Sequence, residues 1–568
     1  MKFRHWQAMV CTIVGALGLA GCGGGGAPAA GTTAGSTTPL SAGQVASPSA
    51  APKVTHYAAS RFAEQATFGP TPALVAELRA KGFEAWIDEQ FAMALASMNL
   101  APAEEIYKYA FQVQIPQAIN YYYDNEFMRL ALVAPDQLRW RMQWSLSQFI
   151  VAARTMSEIP GQVVWANLLY SHAFGNYGPV LRAVSLDPYM GFYLNNIQNR
   201  PKSAECPQCV PNENYARELM QLFSIGVFKL ETDGAPQRDS RGKLIETYTQ
   251  TDVEELARAL TGWTSDPNPP NRPQRNYANW SKPMVPSTWP PERDSGRKVV
   301  MGKVFAAGQT QHKDLDDIVA MLMAHPNIAP FVALRMIQNL VKSDPSPAYV
   351  GRVAAKFRNN GAGGAGDMKA VIKAVLLDTE ARRGDNPVNA RPEDGKFREP
   401  WLHRTALFRG MGCQRNPELE PERNYFTVST QEPNRADSVF GFYAPTDRAP
   451  GSNLLAPEQR LLDAREMTAR LNQSNSLRWN HSARVNDAQP LRGASCDLNL
   501  FVDAYTRSAK DFLDLLSERY FRGAMPPTLR NNMEQMIKAP NWNPSDMSEG
   551  ATRMLDFALA TPYYGVIK

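Results

Sequence analysis

The sequence predicts a mainly α fold, with a large multi-helix body, long irregular loops and little sheet. Apolar residues recur at helical spacing over much of the chain, as in Leu138, Met142, Leu146 and Phe149. Capping residues precede several such segments, and long alternating runs flanked by hairpin turns are absent. We therefore expect a core made by helices that pack on one another.

Residues 1–21 form the first element, which is predicted to be a signal peptide. Lys2 and Arg4 supply a cationic start, and residues 9–19 supply an apolar stretch too short to span a bilayer. The segment ends in Leu-Ala-Gly followed by Cys22. This ending resembles a bacterial lipoprotein signal, with Cys22 as the lipidated residue, and an ordinary secretory signal is the alternative.

Residues 22–55 form a tether composed mainly of Gly, Ala, Ser, Thr and Pro, with too few apolar side chains to pack. At about 5–6 Å times the square root of its length, it would hold the body on the order of 30 Å from the lipid. Gly23 follows the cysteine where an Asp would retain a lipoprotein at the inner membrane. The resemblance therefore implies an outer-membrane lipoprotein, facing the periplasm or the cell surface, that contacts the membrane through its lipid anchor.

The third element, residues 56–568, is predicted to be one helical body in one or two lobes. Thr71 and Pro72 fit the N-cap and first position of a helix that stops at Gly82. Further helices are expected over 136–153, 329–342, 348–358 and 368–378, the last of them capped by Asp367. Irregular segments are expected at 264–298, 359–366, 381–400 and 412–455.

The charge balance argues against a nucleic-acid partner. The chain carries a formal net charge of +5; residues 1–21 hold two of its 60 Lys and Arg and none of its 55 Asp and Glu, which leaves +3. Nucleic-acid binding needs clustered Lys and Arg, whereas here both signs are interspersed. Beyond the signal, no run approaches the roughly 18 apolar residues of a membrane span, so no transmembrane helix is expected.

Four cysteines remain beyond the signal and Cys22. An even number in an exported protein predicts two disulfides. Cys206 and Cys209 have the spacing of a tight local ring, which would leave Cys413 to pair with Cys496; a crossed pairing is the alternative. A redox or zinc role for the Cys-x-x-Cys motif is weaker, because neither a preceding strand nor a second ligand pair accompanies it.

Two segments, residues 211–219 and 252–263, are predicted to be helices, each with one apolar stripe. The stripes would pack on one another or on a shared core. Asn212 is the expected N-cap of the first helix, and Thr251 and Glu254 have capping-box spacing in the second.

Charged side chains make these two helices the densest candidate site, formed by Glu213, Arg217, Glu218, Glu254 and Arg258. The pairs Glu213–Arg217 and Glu254–Arg258 have the i, i+4 spacing of helical ion pairs. Glu218 lacks a local cation and is expected to meet Arg258 across the helix pair. All five are candidate catalytic residues, because paired carboxylates can divide acid and base work. The sequence favours the alternative, a structural network of ion pairs and caps.

Other signatures of catalysis or metal binding are weak. Asparagines between residues 195 and 214 offer oxygen ligands to calcium, but their spacing is not that of an EF-hand and Asn is common in turns. The segment 361–366 fits the dinucleotide fingerprint literally, yet it follows a predicted helix instead of a strand. Neither a Gly-x-Ser-x-Gly elbow nor a phosphate-binding loop occurs. No cofactor and no metal is expected.

Four aromatic residues, Trp263, Tyr277, Trp280 and Trp289, bracket a Pro- and Asn-rich loop. Exposed aromatic rings among amides could stack on sugars, which makes these residues candidate glycan contacts. The favoured alternative is that they pin the long loop onto the body.

Several motifs together resemble a bacterial family known as domain of unknown function 1800. They are Arg61–Phe62, Thr67–Pro72, Leu186–Pro188, Tyr193–Leu194, Asn212–Leu219, Ala257–Trp263, His325–Asn327, Ser438–Pro445 and Ala560–Tyr564. The resemblance covers nearly all of residues 58–568. It implies an exported protein and carries over no established chemistry. It also implies a partner, since members are commonly encoded beside domain of unknown function 1501, whose members resemble alkaline-phosphatase-like proteins.

The sequence thus leads to two functional hypotheses. The first is a non-enzymatic binding or assembly factor in the cell envelope that works with another exported protein. The second is a hydrolase or lyase that acts on an extracellular polymer through carboxylates of the central Glu/Arg cluster. Whether that cluster lines an open cleft distinguishes the two.

Overall fold

The computed structural model describes residues 53–105, 121–153, 159–266, 279–415, 430–473, 494–496 and 498–568. Within the chain, Pro52–Lys568 forms one compact unit. The predicted signal peptide, the lipidated Cys22 and the aromatic Tyr277 lie outside the described residues.

Helices make up most of the described backbone, which confirms the predicted mainly α fold. In chain order they are α1 His56–Ala66, α2 Pro72–Lys81, α3 Phe83–Ala92, α4 Tyr121–Val133, α5 Gln137–Ser147, α6 Ile159–His172, α7 Tyr177–Leu186, α8 Pro188–Tyr193, α9 Asn214–Gln221, α10 Gln250–Ala259, α11 Gln311–Ala324, α12 Ile328–Leu340, α13 Pro347–Arg358, α14 Met368–Leu377, α15 Thr379–Arg382, α16 Pro400–Gly410, α17 Ala464–Arg470, α18 Asn499–Arg507, α19 Ala509–Tyr520, α20 Pro527–Lys538, α21 Met547–Leu559 and α22 Pro562–Gly565.

Side-chain caps explain where several helices begin. Thr71 accepts a hydrogen bond from the backbone N–H of Leu74, and Pro72 occupies the first turn of α2, as predicted. Asp367 caps α14 in the same way. Helices α12 and α13 match their predicted spans to within two residues. Helix α5 ends at Ser147, earlier than predicted, because the chain tightens there into a shorter turn.

Sheet is minor in the described part of the chain, as predicted. Four short antiparallel pairs occur: β1 Trp263–Thr264 with β2 Val285–Pro286, β3 Lys298–Val300 with β4 Lys303–Phe305, β5 Lys396–Phe397 with β8 Val566–Ile567, and β6 Gln414–Arg415 with β7 Ala494–Ser495. Each pair fastens a loop or a chain segment to the helical body.

The core consists of two clusters of buried apolar side chains, between which α5 and α6 lie. One face of α5, with Leu138 and Met142, belongs to the first cluster. The other face, with Trp140 and Trp144, belongs to the second. An amphipathic surface helix keeps one polar face in contact with solvent. Helix α5 is instead buried on both sides, so it has almost no exposed surface.

A buried carboxylate joins distant parts of the chain. Glu64 on α1 binds Arg398 at 2.8 Å and Arg522 at 2.6 Å, and its side chain is 2% exposed. Burial alone would raise the pKa of Glu64, but the two arginines outweigh that effect and hold it below the ordinary value. The ion triad therefore stabilises the packing of α1 against two late segments of the chain.

No single helix in the described ranges has both the length and the hydropathy of a membrane span. Helices α11 and α12 meet those criteria only when taken together as a pair bent by 77°.

The two disulfides form between the cysteines first expected to pair, Cys206 with Cys209 and Cys413 with Cys496, and the crossed pairing does not occur. The second bond lies beside the strand pair β6–β7 and links residues 83 positions apart. The first closes a separation of three residues.

Replacing Cys413 with Ser should lower the free energy of unfolding by about 2–4 kcal/mol, because the long bond restricts the unfolded chain. Urea denaturation measures the loss. Cys206→Ser is the matched control and should cost less, since it opens a much shorter loop. Equal losses in the two variants, or four free thiols in native protein, would contradict this assignment.

Candidate functional site

Helices α9 and α10, which carry the central Glu/Arg cluster, pack on one another as predicted. Their starts differ from the prediction. Helix α9 begins one residue after Glu213, while Asn212 accepts a hydrogen bond from the N–H of Asn214. The capping box of α10 is formed by Thr249 and Asp252, not by Thr251 and Glu254, because the helix begins at Gln250.

The predicted ion pair between Glu213 and Arg217 is confirmed, with a separation of 2.7 Å. Gln250 on α10 bridges the pair, since it bonds both side chains. The side chains of Arg217 and Glu213 are 37% and 34% exposed. An exposed pair of this kind contributes at most about 1 kcal/mol to stability.

The contacts predicted for Arg258 are wrong. Its guanidinium binds Glu255 at 2.5 Å, one position beyond the expected Glu254, and binds Asp294 at 2.8 Å. Neither a pair with Glu254 nor one with Glu218 forms among the described contacts. The reason is tertiary: α10 packs against β3, so Arg258 faces the loop that leads into that strand.

Glu218 lies on the buried face of α9 and is 7% exposed, whereas Glu213 and Arg217 lie near the surface. Its Oε2 atom is buried and has no hydrogen-bond partner in the described part of the chain. Burial raises the pKa of Glu218 to about 7, which the charge of Arg217 only partly opposes. Burial, followed by the charge of Glu218, also raises the pKa of Tyr193 and of Tyr248 to about 12.

The five candidate catalytic residues therefore do not converge on one cleft. Glu254 is exposed, and Arg258 binds its partners near β3. Glu218 is buried, whereas the Glu213–Arg217 pair lies near the surface. Neither of the two cavities described below has any of them in its wall.

The aromatic residues around the Pro- and Asn-rich loop act mainly as anchors. Trp263 is 1% exposed, so the glycan contact predicted for it is wrong: its ring packs edge-on against the exposed imidazole of His312. Trp280 packs against Tyr189 and Phe192. Trp289 is partly exposed. Trp263 and Trp280 pack against the body because large apolar side chains gain most from burial.

A cavity of about 870 Å³ lies between α6, α7 and α11. Its wall is mainly apolar and includes Val164, Leu168, Ala183, Leu186, Pro283 and Val319. Such a volume and lining are typical of sites for small ligands.

The charged groups around this cavity are largely neutralised by one another. Arg182 binds Asp316 at 2.8 Å, and Lys282 binds Asp266 at 3.1 Å. Burial raises the pKa of Asp187 to about 7, although its carboxylate accepts a backbone hydrogen bond from Met190.

Sequence reasoning missed this cavity. Its polar residues come from separate parts of the chain, and only its Leu186-Asp187-Pro188 motif is recognisable from the sequence. Within the described ranges, no group of three or more His, Cys, Asp or Glu residues is arranged to hold a metal ion.

Replacing Glu218 with Gln should make the protein more stable at alkaline pH. The pKa of Glu218 is 4.5 in the unfolded chain and about 7 in the folded protein. Ionisation therefore favours the unfolded chain, so stability falls as the pH rises from 4.5 to about 7 and the loss is complete above that range. A neutral amide avoids the cost, so the free energy of unfolding at pH 8.5 should rise by about 1–3 kcal/mol and be little changed at pH 4.5.

Chemical denaturation at the two pH values measures the effect. Glu213→Gln, at the exposed ion pair, is the control and should bring no gain at pH 8.5. A stability loss for Glu218→Gln that is equal at both pH values would contradict the prediction.

The sequence profile of the family described as "Protein of unknown function (DUF1800)" matches residues 61–566. No curated protein and no solved structure matches the chain. The match extends over nearly the whole body that follows the tether, in agreement with the resemblance seen in the separate motifs. The chain therefore belongs to the DUF1800 family.

Proposed function

We propose that the protein is a non-enzymatic binding or assembly factor of the cell envelope, with the 870 Å³ cavity as its ligand site. The observation that carries this proposal is a large apolar wall whose neighbouring charges already have partners. An apolar surface of this size favours a hydrocarbon-rich ligand, because its burial releases water from both partners. The exported DUF1501-like protein remains the proposed partner in assembly.

The ligand is best described as an apolar or weakly amphiphilic molecule. Arg182 and Lys282 have carboxylate partners, so an anionic ligand would have to compete with Asp316 and Asp266 for them. A glycan would find few ring faces on which to stack: the one aromatic side chain of the wall, Tyr170, is fully buried.

A second candidate function, that of a hydrolase or lyase acting on an extracellular polymer, is favoured by one observation. Glu218 has an unbonded buried oxygen and a pKa near neutrality, which suits a general acid. Loss of polymer cleavage in Glu218→Gln, with stability raised as described above, would support this alternative.

Filling the cavity should abolish ligand binding without unfolding the protein. In Ala183→Trp, an indole would occupy the space that now lies beside α7, and binding of the apolar fluorophore N-phenyl-1-naphthylamine should weaken at least tenfold. Fluorescence titration measures the change. Ala320→Trp, on the α11 wall, provides a second lining variant.

Ala76→Trp is the matched control, because Ala76 is exposed on α2 and lies outside the cavity wall. It should bind the fluorophore like the parent protein. If all three variants bind equally well, the cavity is not the ligand site.

Membrane attachment through Cys22 is part of the same proposal. Cys22→Ser should leave an unprocessed or soluble protein, because the acyl chains supply the membrane affinity and the tether adds little. Partition between detergent and aqueous phases measures this. Unchanged recovery in the detergent phase would contradict the lipid anchor.

A further inference from the structure

A second, smaller cavity lies beside α12 and shares no residue with the cavity of about 870 Å³. Its volume is about 50 Å³. Phe331, Arg335 and Gln338 of α12 form one wall, and residues 439–445 and 457–458 form the other. Phe440 borders it and is 48% exposed.

Arg335 is the charged group of the α12 wall, and it makes no ion pair with a carboxylate in the described part of the chain. Its Nη1 donates to the side-chain oxygen of Gln338 at 2.8 Å, and its guanidinium lies 5.1 Å from the centre of the Phe331 ring. Burial lowers the pKa of Arg335 to about 10, and no neighbouring charge opposes that effect. The remaining N–H groups of the guanidinium are therefore available to a ligand.

The opposite end of the cavity already has its charges matched. Lys396 lies 2.7 Å from Glu399 and 3.4 Å from Glu458, and Glu458 accepts a hydrogen bond from Ser343. These two carboxylates are thus satisfied by groups other than Arg335.

The buried arginine behind this end, Arg141, adds to the positive charge. It donates to the hydroxyl of Ser145 and the backbone oxygen of Asn339. The carboxylates Glu399 and Glu458 thus lie with Lys396 and Arg141, and Arg335 has no carboxylate partner among the described residues.

We propose that this pocket binds the carboxylate of a small monocarboxylic acid with a short apolar tail. A planar guanidinium matches a carboxylate in a two-point hydrogen bond. A water needs roughly 10–15 Å³ of such space, so the cavity has room for the three heavy atoms of one carboxylate group. The tail would lie against Phe331, Phe440 and Val439, which border the same space.

The surroundings disfavour other anions. A phosphate or sulfate dianion would bring a second negative charge to a wall that already contains Glu458, and it would need more donors than Arg335 has left. A neutral amide would leave the guanidinium without its counter-charge. The pocket is therefore specific for a single negative charge on a flat group.

The proposal is tested with butyrate on the full-length mature protein. Butyrate should raise the melting temperature and bind with a measurable heat in calorimetry, whereas the isosteric butyramide and equal ionic strength of sodium sulfate should do neither. Arg335→Met should weaken butyrate binding at least tenfold. Without ligand, its melting temperature should not fall, since the variant removes a partly buried charge that has no carboxylate partner among the described residues.

Arg460→Met is the matched control, because the Arg460 side chain is 74% exposed and lies outside the pocket. It should bind butyrate like the parent protein. Arg335→Lys retains the charge but not the two-point geometry, and should bind several-fold more weakly; it serves as the test if Arg335→Met does not fold. The proposal is overturned if butyramide or sulfate binds as tightly as butyrate, or if the Arg335 variants bind butyrate undiminished. It is also overturned if N-acetylvaline binds more tightly than butyrate, because that result points to a polypeptide terminus as the ligand.

Discussion

The carboxylate of Glu64 is the interaction on which the arrangement of the helices most depends. A buried carboxylate is costly to desolvate, and the cost is repaid only while both Arg398 and Arg522 remain in place. The same helix carries Arg61, which donates to the backbone oxygen of Ala381 at 2.5 Å and to that of Lys568. The first helix of the body is therefore fixed by charged groups as much as by its apolar side.

Buried arginines also hold the irregular connections between the helices. Arg409 donates to the backbone oxygens of Gly69, Ala131 and Leu132. Backbone carbonyls in buried loops need donors, and one guanidinium can supply several. Arg409 thus satisfies backbone carbonyls of a loop and of a helix end at the same time. Arg335 differs, because its hydrogen bond among the described residues goes to the side-chain amide of Gln338.

Most local features could be predicted from the sequence and most long-range ones could not, although the capping box of α10 was missed and the pairing of Cys413 with Cys496 was predicted. The cap at Thr71, the cap at Asp367 and the Glu213–Arg217 pair depend on residues within four positions, so spacing alone identifies them. Arg258 has a suitable glutamate four positions earlier, yet it turns to Asp294, which the tertiary contact of α10 with β3 brings near.

The candidate sites show the same division. The sequence shows that Glu218 lacks a cation at ion-pair spacing on its own helix, but its raised pKa comes from burial, which only the fold provides. Both cavities and the unmatched charge of Arg335 arise where separate helices meet, and no spacing rule records such a meeting. The sequence leaves Trp263 with two roles, the favoured anchor and the glycan contact, and the fold decides between them by burying the ring.

The contacts of α1 also set an order of events in folding. Glu64 reaches partners 334 and 458 positions later in the chain. Contacts between such distant positions form slowly, because a long loop must close before they contribute any stability. During synthesis, Glu64 has neither counter-charge until Arg398 is made, and it lacks the second until Arg522 has followed. The body should therefore complete its folding as a unit, late, after nearly the whole chain has been released.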